Sequence, residues 1–301
     1  ILEEGERMEV NTSFSSSNES IVEVKQGLSV TQLKVIALVT MLIDHIGAII
    51  FPNLIKNAQS LSTFITLEGI MVVLRLIGRL SFPIFAFLIV NGFYHTKNRK
   101  NYLVRLSLFA IISEPFFDFA SKGVWLELTH QNVFFTLALG LLAIWGYDYM
   151  RQDTKFNFVS GLYVLTIGLI ASNLRTDYNF YGILMIFLMY LFFENTARLS
   201  WSIVILNFLF WGGNLGMWPY IPSIIHDMYG LSMTNKAGIV IQALVYLEYI
   251  AQLFCLLALW PISKYNGQKG TRQLNKYFFY SFYPLHLLIL GLIGLMLNHI
   301  L

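Results

Sequence analysis

Long apolar runs broken by short polar stretches set the pattern of this chain. The runs are Val30 to Phe51, Leu80 to Tyr94, Tyr102 to Ala120, Val133 to Tyr149, Phe156 to Leu174, Tyr178 to Phe193, Trp201 to Trp211, Gly238 to Trp260 and Tyr277 to Leu297. About 20 apolar residues in helical form cross a hydrocarbon core roughly 30 Å thick, so the pattern predicts about nine spanning helices. The segment Leu61 to Gly78 is apolar but holds Glu68 and Arg75. It is read either as a tenth span or as a re-entrant or interfacial helix. The expected fold is therefore all-α: a polytopic transmembrane helix bundle of about nine to ten spans.

Residues 1–27 are rich in Ser, Glu and Asn and have no hydrophobic period. They are expected to form a disordered tail ahead of a single transmembrane domain over 28–301. Met8 is expected to be the native start, with Ile1 to Arg7 a cloning remnant. The first apolar run lacks a small-residue cleavage site, so it is read as a retained span and not as a signal peptide.

Composition sharpens the class. With 56% hydrophobic, 16% aromatic and only 12% charged residues in 301, the chain has too much apolar side chain for one soluble core. A net charge of +3 gives no case for nucleic acid. If the amino terminus is cytoplasmic and Leu61 to Gly78 does not cross, the inner loops hold Lys97, Arg99, Lys100, Arg151, Lys155, Arg198, Lys264, Lys269, Arg272 and Lys276, and the outer ones only Lys56, Lys122, Arg175 and Lys236. That asymmetry satisfies the positive-inside rule, whereas a tenth span would reverse it for the Lys97 to Lys100 loop. Cys255 has no partner for a disulfide, and His226-Asp227 has no companion at metal-ligand spacing, so no metal is expected.

The chemistry sits in polar residues at membrane depth. Asp44 and His45 interrupt the first run, about 20 Å along it at 1.5 Å per residue, past the bilayer middle. A charge there is costly and is a functional-site hypothesis by default. Neighbours on a helix point about 100° apart, so the two are expected to act separately. A neutral His45 can take a proton from an attacking amine or hydroxyl and pass it to a leaving thiolate, while Asp44 organises arginine. Arg75 and Arg79, if on one continuous helix, project from one face and suit a phosphate or carboxylate. Asn91 and His95 have the same spacing just before the basic loop. Glu114-Pro115, Asp177 to Gly182 and Tyr283-Pro284-Leu285-His286 complete a polar interior. The same residues also suit a proton relay in a secondary transporter, although no internal repeat with matching broken helices is found.

Four strings, Leu42 to Gly47, Arg75 to Phe87, Gly92 to Thr96 and Phe279 to Leu287, occur in an order and spacing that resemble the TraX family across nearly the whole chain. Members of that family are integral membrane acetyltransferases named for acetylating the pilin amino terminus, and they are related to the family-3 membrane acyltransferases. The resemblance implies a bacterial cytoplasmic-membrane enzyme that takes acetyl from acetyl-CoA on the cytoplasmic side. It implies His45 as the catalytic residue supported by Asp44, with Arg79 and Arg75 as the arginines of the following spans. It also implies an acyl-CoA site at Asn91, His95, Lys97, Arg99, Lys100 and Arg105, and a shared cavity lined by Tyr283 and His286. The acceptor stays open: an exported peptide, a pilin-like protein, a lipid or a glycan. The tail and the loop Gly213 to Lys236 depart from the family pattern.

Overall fold

Polar side chains start the helices by standing in for missing backbone acceptors. Ser29 caps α1 (Val30–Ile49) in a capping box: its Oγ accepts from the Gln32 N–H, and its own N–H donates to Gln32 Oε1 at 2.8 Å. Ser60 caps α3 (Leu61–Gly78), Asn98 caps α5 (Arg99–Lys122), Asn132 caps α6 (Val133–Met150) and Asn195 caps α9 (Thr196–Trp211). The remaining helices are α2 (Phe51–Lys56), α4 (Ser81–His95), α7 (Asn157–Asn173), α8 (Asn179–Leu191), α10 (Ile221–Tyr229), α11 (Lys236–Ile250), α12 (Leu259–Ser263) and α13 (Lys276–Ile300). Turns of 3-10 helix join α9 to α10 over Gly212–Tyr220 and α11 to α12 over Ala251–Ala258. This computed structural model describes residues 26–153, 157–229, 236–270 and 276–300, without the side chains of 226–229 and 276. Residues 1–25 of the expected 1–27 tail, Lys155, Arg272 and the His226-Asp227 side chains fall outside that set.

The chain forms a multi-pass membrane helix bundle. Among the described residues, six helical segments are long and apolar enough to cross: Val30–Lys56, Leu61–His95, Val133–Met150, Thr196–Ile225, Lys236–Ser263 and Tyr277–Ile300. The expected nine to ten is not reached on length and hydropathy, because α7 and α8, of 17 and 13 residues, are short. α5 is long enough but carries Glu114, Asp118 and several basic residues.

The ambiguous segment is continuous with its neighbour. α3 runs almost directly into α4, with Arg79 N–H still bonded to Arg75 O at 3.2 Å and Leu80 N–H to Ile77 O at 3.2 Å. The joined 35-residue unit, roughly 50 Å of helix, forms one broken path and counts as a single candidate span by length and hydropathy. α4 lies at the centre, with 11 of its 15 residues buried, which is why it is apolar all round. α3 buries only Val72 and Gly78 and lies on the rim.

The bundle has two ends. At one, Leu28 N–H donates to Lys264 O at 2.7 Å, the Tyr265 hydroxyl donates to Asn91 Oδ1 at 2.8 Å, and Arg99 pairs with Asp148 at 2.7 Å. This end carries Lys97, Arg99, Lys100, Arg151, Arg198, Lys264 and Lys269. At the other, the loop after α5 is pinned to the loop after α7, with Asp177 N–H donating to Gln131 O at 2.8 Å. Lys56, Lys122 and Arg175 lie there.

Candidate active site

His45 comes near the end of α1 and meets His286 of α13, 241 residues away: His45 Nδ1 and His286 Nε2 are 2.6 Å apart. The rings stack with centroids 4.9 Å apart and 17° between planes. Tautomers follow from the next contact, because His286 Nδ1 is 2.7 Å from the Phe282 carbonyl oxygen. A carbonyl only accepts, so Nδ1 of His286 carries the hydrogen and, in a neutral ring, its Nε2 accepts. Nδ1 of His45 then donates, and Nε2 of His45 keeps its lone pair. Tyr283 sets its ring edge-on to His45 at 6.0 Å and to His286 at 5.7 Å.

Asp44, one residue earlier, turns to α3 and pairs with Arg75 at 2.6 Å. It fits because Gly78 has no side chain: a Cβ there would lie 2.1 Å from Asp44 Oδ1. Arg79, just past the end of α3, points elsewhere. Its Nη1 donates to Gln252 Oε1 at 3.4 Å, the Tyr178 hydroxyl faces its guanidinium, and its Nε is buried with no hydrogen-bond partner. The two arginines, expected to grip one anion together, take different hydrogen-bond partners, Asp44 for Arg75 and Gln252 for Arg79.

Tyr178 is held in the left-handed region at φ 66°, flanked by Arg175 at 52° and Asn179 at 45°. Bulky residues avoid this region, and such strain clusters at functional sites. The ring is fixed by stacking on Phe82, with centroids 3.7 Å apart and 8° between planes.

A cavity of about 310 Å³ leads from the basic end toward this group. Val30, His95 and Thr96 form its rim; Phe85, Leu88, Leu106 and Leu137 its apolar wall; Met41, Phe134 and Tyr283 its inner end. Two cations line it. Lys34 Nζ lies 4.7 Å over the Phe279 ring, and Arg105 sits 5.4 Å and 5.3 Å from the Tyr102 and Tyr280 rings. Among the described residues no carboxylate lies within 4.0 Å of either. Sequence reasoning missed Lys34. Its signal was a lone lysine inside the first apolar helix, 11 residues and roughly 16 Å before His45.

Other expected residues separate into two groups. Asn91, His95, Arg105 and Tyr283 line the cavity. Arg99 is engaged by Asp148 and lies 3.9 Å over the Phe93 ring, and Lys97 and Lys100 are exposed at the basic end; none of these three lines the cavity. Gln252 and Tyr178, the neighbours of Arg79, carried no sequence signal that linked them to it.

The model of the TraX protein family matches residues 29–294, from the cap of α1 into α13. The chain belongs to the TraX family. The match contains the histidine pair, both arginines and every residue lining the cavity. This TraX-family chain is also 28% identical over 271 residues to the probable fimbrial assembly protein FimC, serogroup H1, of Dichelobacter nodosus, covering 87% of this chain and 94% of that protein. No solved structure matches the chain.

Proposed function

We propose that this TraX-family protein is a bacterial inner-membrane acetyltransferase. It would move acetyl from cytoplasmic acetyl-CoA to an amine of an exported, pilin-like acceptor. The observation that carries the reading is the cavity running from the basic end to Tyr283, one ring from a His45 whose Nε2 has a free lone pair. Lys34 and Arg105 in its wall suit the phosphates of the donor, and the apolar stretch beyond suits its flexible arm. The basic end is then cytoplasmic, as the positive-inside rule requires, and the charged helix α5 with the shorter α7 and α8 complete nine passages.

In this mechanism the acceptor amine attacks the thioester carbonyl carbon while His45 Nε2 takes its proton. His286 accepts from Nδ1 of the resulting imidazolium and keeps the ring oriented. Arg79 donates to the oxygen on which negative charge develops, the role of an oxyanion hole. Collapse of the adduct breaks the carbon–sulfur bond, and the thiolate of CoA receives the proton from His45. The fimbrial relative and the family favour a pilin-like acceptor over a lipid or glycan.

The test supplies membranes with acetyl-labelled acetyl-CoA and, separately, a pilin-like peptide with a free α-amine, a lipid extract and a glycan. Label should pass to the peptide with the native protein and fall at least 100-fold with His45→Ala, on the order expected for loss of a general base. Transfer that His45→Ala leaves intact overturns the assignment.

A further inference from the structure

The segment 236–263 is interrupted in its middle by the eight-residue 3-10 stretch Ala251–Ala258. Runs of that winding beyond three or four residues are uncommon, and mid-helix they often mark functional positions. Side chains three apart eclipse in a 3-10 helix, so Gln252, Cys255 and Ala258 form one row, and all three are buried. The row faces α8 and α9. Asn207 Oδ1 accepts from the Tyr181 hydroxyl at 2.9 Å and from Cys255 Sγ at 3.0 Å, and Gln252 Nε2 donates to the Tyr181 oxygen at 3.5 Å.

This network orients the Gln252 amide. With Nε2 turned to Tyr181, Oε1 faces the other way, where Arg79 Nη1 lies at 3.4 Å. Arg79 stands at the break between α3 and α4, so two interrupted helices meet there, an arrangement tolerated at membrane depth only inside protein or beside a cavity. Tyr178 faces the same guanidinium, and Nε is left without a partner.

We infer that Gln252 is a positioning residue for Arg79. It occupies one guanidinium N–H and so fixes how that group, with its unpartnered Nε, is presented. This rests on the acetyl transfer proposed above. Gln252→Met keeps the shape and removes the acceptor. It should lower kcat roughly 10- to 100-fold, the range for losing one hydrogen bond to a charged group, with KM for acetyl-CoA unchanged. Gln252→Glu, which retains an oxygen facing Arg79, should recover part of that loss. In an Arg79→Ala background, Gln252→Met should have no further effect on kcat. An equal, independent fall there, or a rise in KM alone, overturns the inference. Unfolding temperatures in detergent of the native, Gln252→Met, Arg79→Ala and double-variant proteins give a readout apart from the reaction: non-additive shifts support the contact, and additive ones overturn it. Intact transfer by His45→Ala would instead defeat the acetyl-transfer reading while leaving this cycle to be judged by unfolding alone.

Discussion

Gly78→Ala tests the interlock that holds Asp44. The added Cβ would lie 2.1 Å from Asp44 Oδ1, 2.2 Å from its Cβ and 2.4 Å from its Cγ. Carbon contacts settle near 3.5 to 4.0 Å, so Asp44 must retreat by more than about 1 Å. The helices have little room to part, since a Cβ on Gly47 would already lie 3.0 Å from Leu74 Cβ across the same crossing. Overpacking of this kind costs about 1 to 3 kcal/mol. Separating Asp44 from Arg75, whose side chains are 18% and 30% exposed, adds on the order of 1 kcal/mol after solvent screening. The total of about 2 to 4 kcal/mol corresponds to a fall in Tm of roughly 5 to 15 °C for a chain of this size. Thermal unfolding in detergent measures it, with acetyl transfer followed on the same samples. Gly161→Ala is the control, since its Cβ would meet nothing within 4 Å, and it should not lower Tm. A Gly78→Ala protein that melts within a degree or two of the native one refutes the interlock.

Two further outcomes are expected. His286→Phe leaves Nδ1–H of His45 without its acceptor and should slow transfer roughly 10- to 100-fold, with His286→Gln falling less; equal rates for all three proteins would reduce the pair to packing. At the end opposite the basic loops, the Asp177 carboxylate 3.8 Å from its Nε2 raises the His130 imidazole above its ordinary 6.5, against partial desolvation. A raised folded-state value stabilises fully below the unfolded one and is lost as pH rises through the folded one. The Tm difference between the native protein and His130→Gln should therefore be largest below about pH 6.5 and shrink in mild alkali; a difference that grows with pH contradicts the contact.

Much of the site was legible because ionisable residues in apolar runs stand out: Asp44, His45, Arg75, Arg79 and His286 were all visible as exceptions to a hydrophobic pattern. Their partners were not. His45 and His286 lie in the first and last helices, and nothing local at either end encodes a 2.6 Å contact. Lys34 resembled an ordinary basic residue near a helix start until the cavity put it beside Arg105. The Lys97 to Lys100 loop drew attention by charge density, yet Arg99 is held by Asp148 outside the cavity lining.

By itself the sequence determined the helical membrane class, the charge asymmetry of the two ends and the titratable residues available for chemistry. These depend on composition and short-range periodicity, which bilayer thickness and helix geometry convert directly into structure. Tertiary structure decided the rest. It made α3 and α4 one broken path, sent the two arginines to different partners, wound residues 251–258 as a 3-10 stretch facing Arg79, and gave His45 a free Nε2 by placing His286 against its other nitrogen. Each of these depends on packing between segments far apart in the chain, where a single close approach or one shared hydrogen bond settles what local sequence leaves open.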